Sequence, residues 1–318
     1  MTIPVEKNKI YTAVIDDIGV NGEGIGKVSG FTVFVPETAP GDTVGILILK
    51  VKKNFAYGKL LEIIKPSEFR KEPECKYFSR CGGCQLLHLQ YKEQLRFKTK
   101  KVKDALRVIG GFKDIEVMPA IASPEIFNYR NKAQFSAGLK DGRPVIGFYA
   151  NRSHRIIDID KCLIQNQPSS AVLQKIREYI YESGASCYDE EKNEGLIRHI
   201  LIRYGFASGE IGVCIVINGD GIPRKELLLS KLEAIGKVSS VTININKNAT
   251  NVILGKETRV LKGREYITDK IFGLEFEISA SSFFQVNPFS TELVYAKALE
   301  FAELKGNETV FDIYCGIG

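Results

Sequence analysis

Three cysteines crowd into ten residues of this chain as Cys75-x5-Cys81-Gly-Gly-Cys84, and any fold it adopts must accommodate them together. A two-residue gap lets two thiolates turn onto one metal, and the intervening glycines permit the backbone angles of that turn. In a cytosolic chain such a crowd points to metal rather than to disulfides. Three local thiolates need a fourth ligand, as in a tetrahedral zinc site or an iron–sulfur cluster, and spacing alone does not choose between the two. Cys162 is the best candidate for that ligand, because it sits in the polar-flanked run Asp160-Lys161-Cys162. Cys187 and Cys214 read as ordinary residues, the second of them inside an apolar strand run.

With 318 residues, 44% of them hydrophobic and 26% charged, the chain has material for two or three globular domains. No run of eighteen apolar residues suggests a membrane span, and the N-terminal MTIPVEKNKI lacks the apolar stretch of a signal peptide, so a cytoplasmic protein is expected. The net charge is +6 and unevenly spread: Lys50, Lys52 and Lys53 cluster, as do Lys98, Lys100, Lys101 and Lys103. Such clusters suit a polyanionic partner held through phosphates.

Short strands over 11–15, 32–34, 43–48 and 58–63, separated by the glycine-rich turn 19–26 and by Pro40-Gly41, predict a small closed barrel over 1–64. Lys65-Pro66-Ser67 reads as a linker. A helix is predicted from Tyr91 to Ile109, stopped by Gly110-Gly111. Strands over 133–139, 145–149, 197–204, 211–217 and 241–245, with helices over 168–182 and 224–235, predict a central α+β domain reaching residue 275. The final stretch, 276–318, reads as a helix starting at Pro288, then Gly306, then a strand over 309–314 followed by Gly316-x-Gly318. A glycine pair after a strand lets backbone approach a nucleotide-like cofactor closely, and the helix that should follow is not in this sequence.

Together these residues resemble the bacterial 23S ribosomal RNA uracil-5-methyltransferases. The likeness runs through the cysteine pattern, Tyr129-Arg130-Asn131-Lys132, Gly147-Phe148-Tyr149 with Ser153-His154, Phe283-Phe284-Gln285-Val286-Asn287 and Asp312-Ile313-Tyr314-Cys315-Gly316-x-Gly318. It implies a multi-domain protein: an OB-like TRAM barrel, a central domain with a [4Fe–4S] cluster on Cys75, Cys81, Cys84 and Cys162, and the start of a Rossmann-like domain using S-adenosyl-L-methionine. The helix over 91–110 is a candidate to pack on that last domain. In this family a cysteine thiolate adds to carbon 6 of a flipped-out uracil, turning carbon 5 into a nucleophile that takes the methyl group.

By the same resemblance Gln285, Tyr314, Gly316 and Gly318 are cofactor contacts, and Phe283 is a stacking surface for a base. Arg130, Lys132, Lys52 and Lys53 are expected to meet RNA, Asn287 to cap a helix, His154 to hydrogen-bond locally and Cys315 to be a small packing residue. The family's nucleophilic cysteine and general base lie beyond Gly318, so no catalytic residue is expected in this chain, which alone is expected to transfer no methyl group. The expected partner is ribosomal RNA, with no membrane, and the chain is read as a monomer. The alternatives are an RNA-binding remnant without catalysis, a zinc-binding RNA protein, a radical methylthiotransferase, and a transfer RNA uracil-5-methyltransferase. The third is disfavoured by its different cysteine spacing and barrel position. The last is disfavoured because its relatives generally lack both barrel and cysteine cluster.

Overall fold

The computed structural model describes residues 3–315 and divides the chain into two compact units, Met1–Ala122 and Ser123–Gly318. In the first, strands β1 (Ile10–Ile18), β2 (Gly24–Val28), β3 (Phe31–Val35), β4 (Thr43–Val51) and β5 (Phe55–Lys65) close into a barrel in the order β1-β2-β3-β5-β4. The expected small barrel is therefore present. Closure removes the unpaired edges that five short strands would otherwise expose. Alternation along β4 sends Val44, Ile46 and Ile48 inward, where they pack with Val33, Val35 and Ala56.

The glycine-rich stretch 19–26 is only partly a turn, since β2 begins at Gly24. A side chain there would place its Cβ 2.0 Å from Thr38 Oγ1, so a residue that argues locally against a strand is required by the barrel interior. The loop carrying the cysteines is pinned at its base. Lys71 N–H donates to the His88 carbonyl at 2.9 Å, and Arg70 bridges to Leu89. Arg70 also pairs with the fully buried Asp42 at 2.5 Å, and His88 Nε2 lies 3.0 Å from the Thr38 carbonyl. Helix α1 (Tyr91–Asp104) runs into a wider π-turn over Ala105–Ile109, and Gly111 adopts φ +76° past its end.

The second unit is built on a seven-stranded sheet of order β12-β11-β10-β9-β6-β7-β8. Its strands are β6 (Lys132–Lys140), β7 (Arg143–Tyr149), β8 (Ile156–Asp158), β9 (Ile197–Tyr204), β10 (Ile211–Ile217), β11 (Val238–Ile245) and β12 (Glu257–Gly263). Only β10 and β11 pair in parallel, joined by helix α3 (Lys225–Glu233). That helix and α2 (Gln167–Ser183) share one core with the sheet, formed by Val172, Leu173, Ile176, Leu228 and Leu232 with Phe135, Ile200, Ile202 and Ile215. Asn166 caps α2 by accepting from Ser169 N–H at 3.0 Å, and Gly184 ends it at φ +70°.

A hairpin of β13 (Tyr266–Ile271) and β14 (Leu274–Ser279) follows, then helix α4 (Pro288–Ala302). The strand expected over 309–314 does not form. Phe311, Ile313 and Tyr314 are 83%, 84% and 96% exposed, and no neighbouring strand among the described residues supplies the ladder that a strand requires. Cys315 is likewise exposed rather than packed, which corrects the reading of it as a packing residue.

Candidate functional site

The segment 282–287 is fastened to the end of the large sheet. Asn131, just before β6, donates its backbone N–H to the Val286 carbonyl at 2.9 Å and its Nδ2 to the Gln285 carbonyl at 2.8 Å. From β9, Arg203 Nη2 donates to the Ser282 carbonyl. With the backbone held at both ends, the side chains point alternately. Phe283 is 78% exposed, Phe284 is 8% exposed against Phe276 with ring centroids 5.8 Å apart, and Gln285 is exposed. Asn287 then caps α4, its side chain accepting from Ser290 N–H at 3.1 Å, as its place before Pro288 predicts. The resemblance singled out Phe283 for a base, and the packing leaves that ring exposed while burying Phe284.

Cations gather beside this segment. Arg130 precedes Asn131 and its buried Nε has no partner. Lys132 opens β6 directly opposite Arg203 of β9. Burial lowers the Lys132 pKa, and the charges of Arg203 and Arg130 lower it further. Arg203 is 4% exposed, and burial brings its pKa down to about 10. Arg203 is the residue that sequence reasoning missed. Its only sequence signal is a charge recurring inside the otherwise apolar run Ile-Arg-His-Ile-Leu-Ile-Arg-Tyr.

In the first unit Lys52 and Lys53 occupy the β4–β5 turn, exposed and outside any ion pair among the described residues. Beside them Phe34, Phe55 and Tyr57 form an aromatic cluster with centroids 5.4–6.0 Å apart. The other lysine cluster is partly engaged within the chain: Lys100 pairs with Asp17 and Asp104, and Lys101 donates to the Val20 carbonyl.

Cys75, Cys81 and Cys84 lie in the first unit and Cys162 in the second, all partly exposed and none in a disulfide. Burial pushes the Cys81 thiol up, the Gly83 N–H donating to its Sγ at 3.4 Å pulls it back, and the neighbouring Cys75 raises it again. Adjacent thiols with a backbone N–H aimed at sulfur suit a soft metal or a cluster. Among the described residues, however, no three His, Cys, Asp or Glu side chains stand together as a ready-made cage. Cys187 and Cys214 are buried, with thiols pushed up to about 11 by that burial, in keeping with a packing role. Tyr314 donates its backbone N–H to Asp312 Oδ1 at 3.1 Å and is exposed, whereas Gly316 and Gly318 lie outside the described residues.

A cleft of about 820 Å³ opens elsewhere on the second unit, lined by Tyr149, His154, Tyr188, Arg198, His199 and Asn251 among others. His154 pairs there with Glu190 at 2.9 Å, the local bond expected of it. Burial drives the His199 pKa down to about 4, helped by the adjacent Arg198.

The TRAM domain family matches residues 4–61, which is the closed barrel. An uncharacterized RNA methyltransferase of Clostridium tetani is 48% identical over 99% of this chain and 69% of its own length. This chain belongs to an RNA methyltransferase family. A second relative, from Halalkalibacterium halodurans, is 45% identical over 99% of this chain and again 69% of itself. Among solved structures, the Pyrococcus abyssi tRNA (uracil-54, C5)-methyltransferase in complex with S-adenosyl-L-homocysteine superposes with a TM-score of 0.72 at 28% identity. It covers 96% of this chain and 68% of that one. Coverage that broad takes in the barrel, so a barrel does not separate ribosomal from transfer RNA enzymes, and that ground for preferring ribosomal RNA falls. No helix among the described residues is long and apolar enough to cross a membrane.

Proposed function

We propose that this chain is the RNA-gripping part of an S-adenosyl-L-methionine-dependent enzyme that methylates carbon 5 of a uridine in ribosomal RNA through a covalent cysteine adduct. The observation that carries this reading is the fastened segment 282–287. It presents Phe283 to solvent as a stacking face, sets Gln285 beside it, and stands next to Arg130 and Lys132. An exposed aromatic face next to cations suits an unstacked base with its phosphates. Lys52 and Lys53 on the barrel turn are assigned a separate contact with RNA. Gln285, Tyr314, Gly316 and Gly318 are assigned to the cofactor, which supplies the methyl group when bound.

None of the seven cysteines is assigned as nucleophile. Cys75, Cys81, Cys84 and Cys162 are assigned to a [4Fe–4S] cluster, supported by the Cys75-x5-Cys81-Gly-Gly-Cys84 spacing and by the N–H donated to Cys81. The division 1–64, 65–275 and 276–318 accompanies this reading. A transfer RNA substrate is the second reading, favoured by the solved neighbour. Nucleoside mass spectrometry on a strain lacking the gene decides between them. Loss of 5-methyluridine from ribosomal RNA supports the first reading, loss from transfer RNA supports the second, and unchanged 5-methyluridine in both sinks the proposal.

A further inference from the structure

Lys132 and Arg203 face each other directly across the antiparallel β6–β9 pair. Like charges in that position repel, and a sheet keeps them only when something offsets the repulsion. No ion pair among the described residues does so: neither residue, nor the nearby Arg130, forms one. Arg203 spends one amino group on the Ser282 carbonyl, while its buried Nε and Nη1 lack partners, as does Arg130 Nε. Unpaired donors on buried cations are costly, so the arrangement is incomplete as it stands.

We propose that Lys132 and Arg130, backed by the buried charge of Arg203, form a site for one phosphodiester of the RNA, and that filling it steadies the segment carrying Phe283 and Gln285. This rests on the RNA reading above. Lys132 and Arg130 are partly exposed and offer the reachable donors. Arg203 stands behind them as a positioning residue, joining the anion site to the segment through its bond to Ser282. A single phosphodiester charge relieves the Lys132–Arg203 repulsion, and its two free oxygens suit an arginine fork beside an ammonium. The bland competitor is a trapped water. A hollow of about 10 Å³ beside Arg203, lined also by Cys214, Ser240, Thr242 and Glu265, has room for about one water. Water would satisfy an N–H but neutralise no charge. Glu265, the carboxylate on that hollow, is exposed and pairs with neither cation among the described residues.

The test has two arms, both on the full chain. In the first, thermal unfolding is followed in chloride and in inorganic phosphate at matched ionic strength. Lys132→Met is expected to raise the melting temperature in chloride, because the repulsion is gone, and to lose the phosphate-specific increment shown by the unaltered protein. A Lys132→Met protein that melts lower in chloride, or keeps the increment, overturns the proposal. In the second arm, a bound RNA fragment is resynthesised with one neutral methylphosphonate linkage walked along the strand. One linkage is expected to weaken binding about tenfold in the unaltered protein and to have no such effect in Lys132→Met. RNA that binds with no sensitive linkage overturns the phosphodiester site while leaving the RNA reading intact, and a phosphate increment alongside it would mark a free-anion site instead. Absence of any RNA binding defeats the reading on which the proposal rests, and the proposal with it.

Discussion

Asn131 Nδ2 donates to the Gln285 carbonyl across 2.8 Å, linking the start of the central sheet to a segment 154 residues later. The backbone N–H of the same residue holds Val286, so one asparagine sets both the height and the orientation of the segment. Asn131→Ala removes the side-chain donor and leaves a carbonyl unsatisfied, which is expected to cost about 1–3 kcal/mol in urea denaturation. Asn131→Asp cannot donate and should fail similarly. A midpoint unchanged in both variants would show the contact to be idle.

Phe283 and Phe284 are expected to respond in opposite ways. Phe284→Ala empties a buried position packed against Phe276 and should cost about 3–5 kcal/mol of stability. Phe283→Ala should leave stability within about 0.5 kcal/mol but weaken RNA binding by about 1–3 kcal/mol through lost stacking. Denaturation and RNA titration on both variants check this, and a stability loss at Phe283 equal to that at Phe284 would refute it.

Acid should release the lock between Arg70 and Asp42. Burial alone would raise the Asp42 carboxyl, but the Arg70 guanidinium and the N–H groups of Ala39 and Ser67 outweigh it and hold the pKa below its ordinary value. A depressed carboxylate contributes stability that is present above its unfolded value of about 3.9 and disappears as pH falls through the folded value. Arg70→Met leaves that charge buried and unpaired and should cost about 3 kcal/mol at neutral pH. The variant should also lose less stability on acidification than the unaltered protein, which urea melts at several pH values measure.

His199 acts in a different window. Its folded pKa of about 4 lies below the unfolded value of about 6.5, because burial and Arg198 oppose its charge. The unfolded chain therefore binds a proton first as pH falls, and stability is lost between about 6.5 and 4, by an order of about 2–3 kcal/mol. His199→Gln should flatten that part of the profile. An imidazole titrating near 6.5 by NMR in the folded protein would contradict the assignment.

Neutralising the barrel lysines tests the other RNA contact. Lys52→Ala with Lys53→Ala should weaken RNA binding about equally for different sequences and reduce the slope of log affinity against log salt by about 0.7 per lysine. A sequence-dependent loss, or an unaltered slope, would place the RNA elsewhere.

Much of this protein was legible from local pattern. Short strands over 43–48 and 58–63 between glycine and proline turns announced the barrel, and Asn287 before Pro288 announced the start of α4. Such signals survive because strand period and helix caps are set within a few residues of chain. What escaped depends on partners distant in sequence. Gly24 belongs to a strand because Thr38 leaves no room for a side chain, and 309–314 forms none because no strand lies beside it. Phe283 and Phe284 differ only through the core that one of them enters. The opposition of Lys132 and Arg203 arises from a strand register joining residues 71 positions apart, and no local reading of either stretch contains that register.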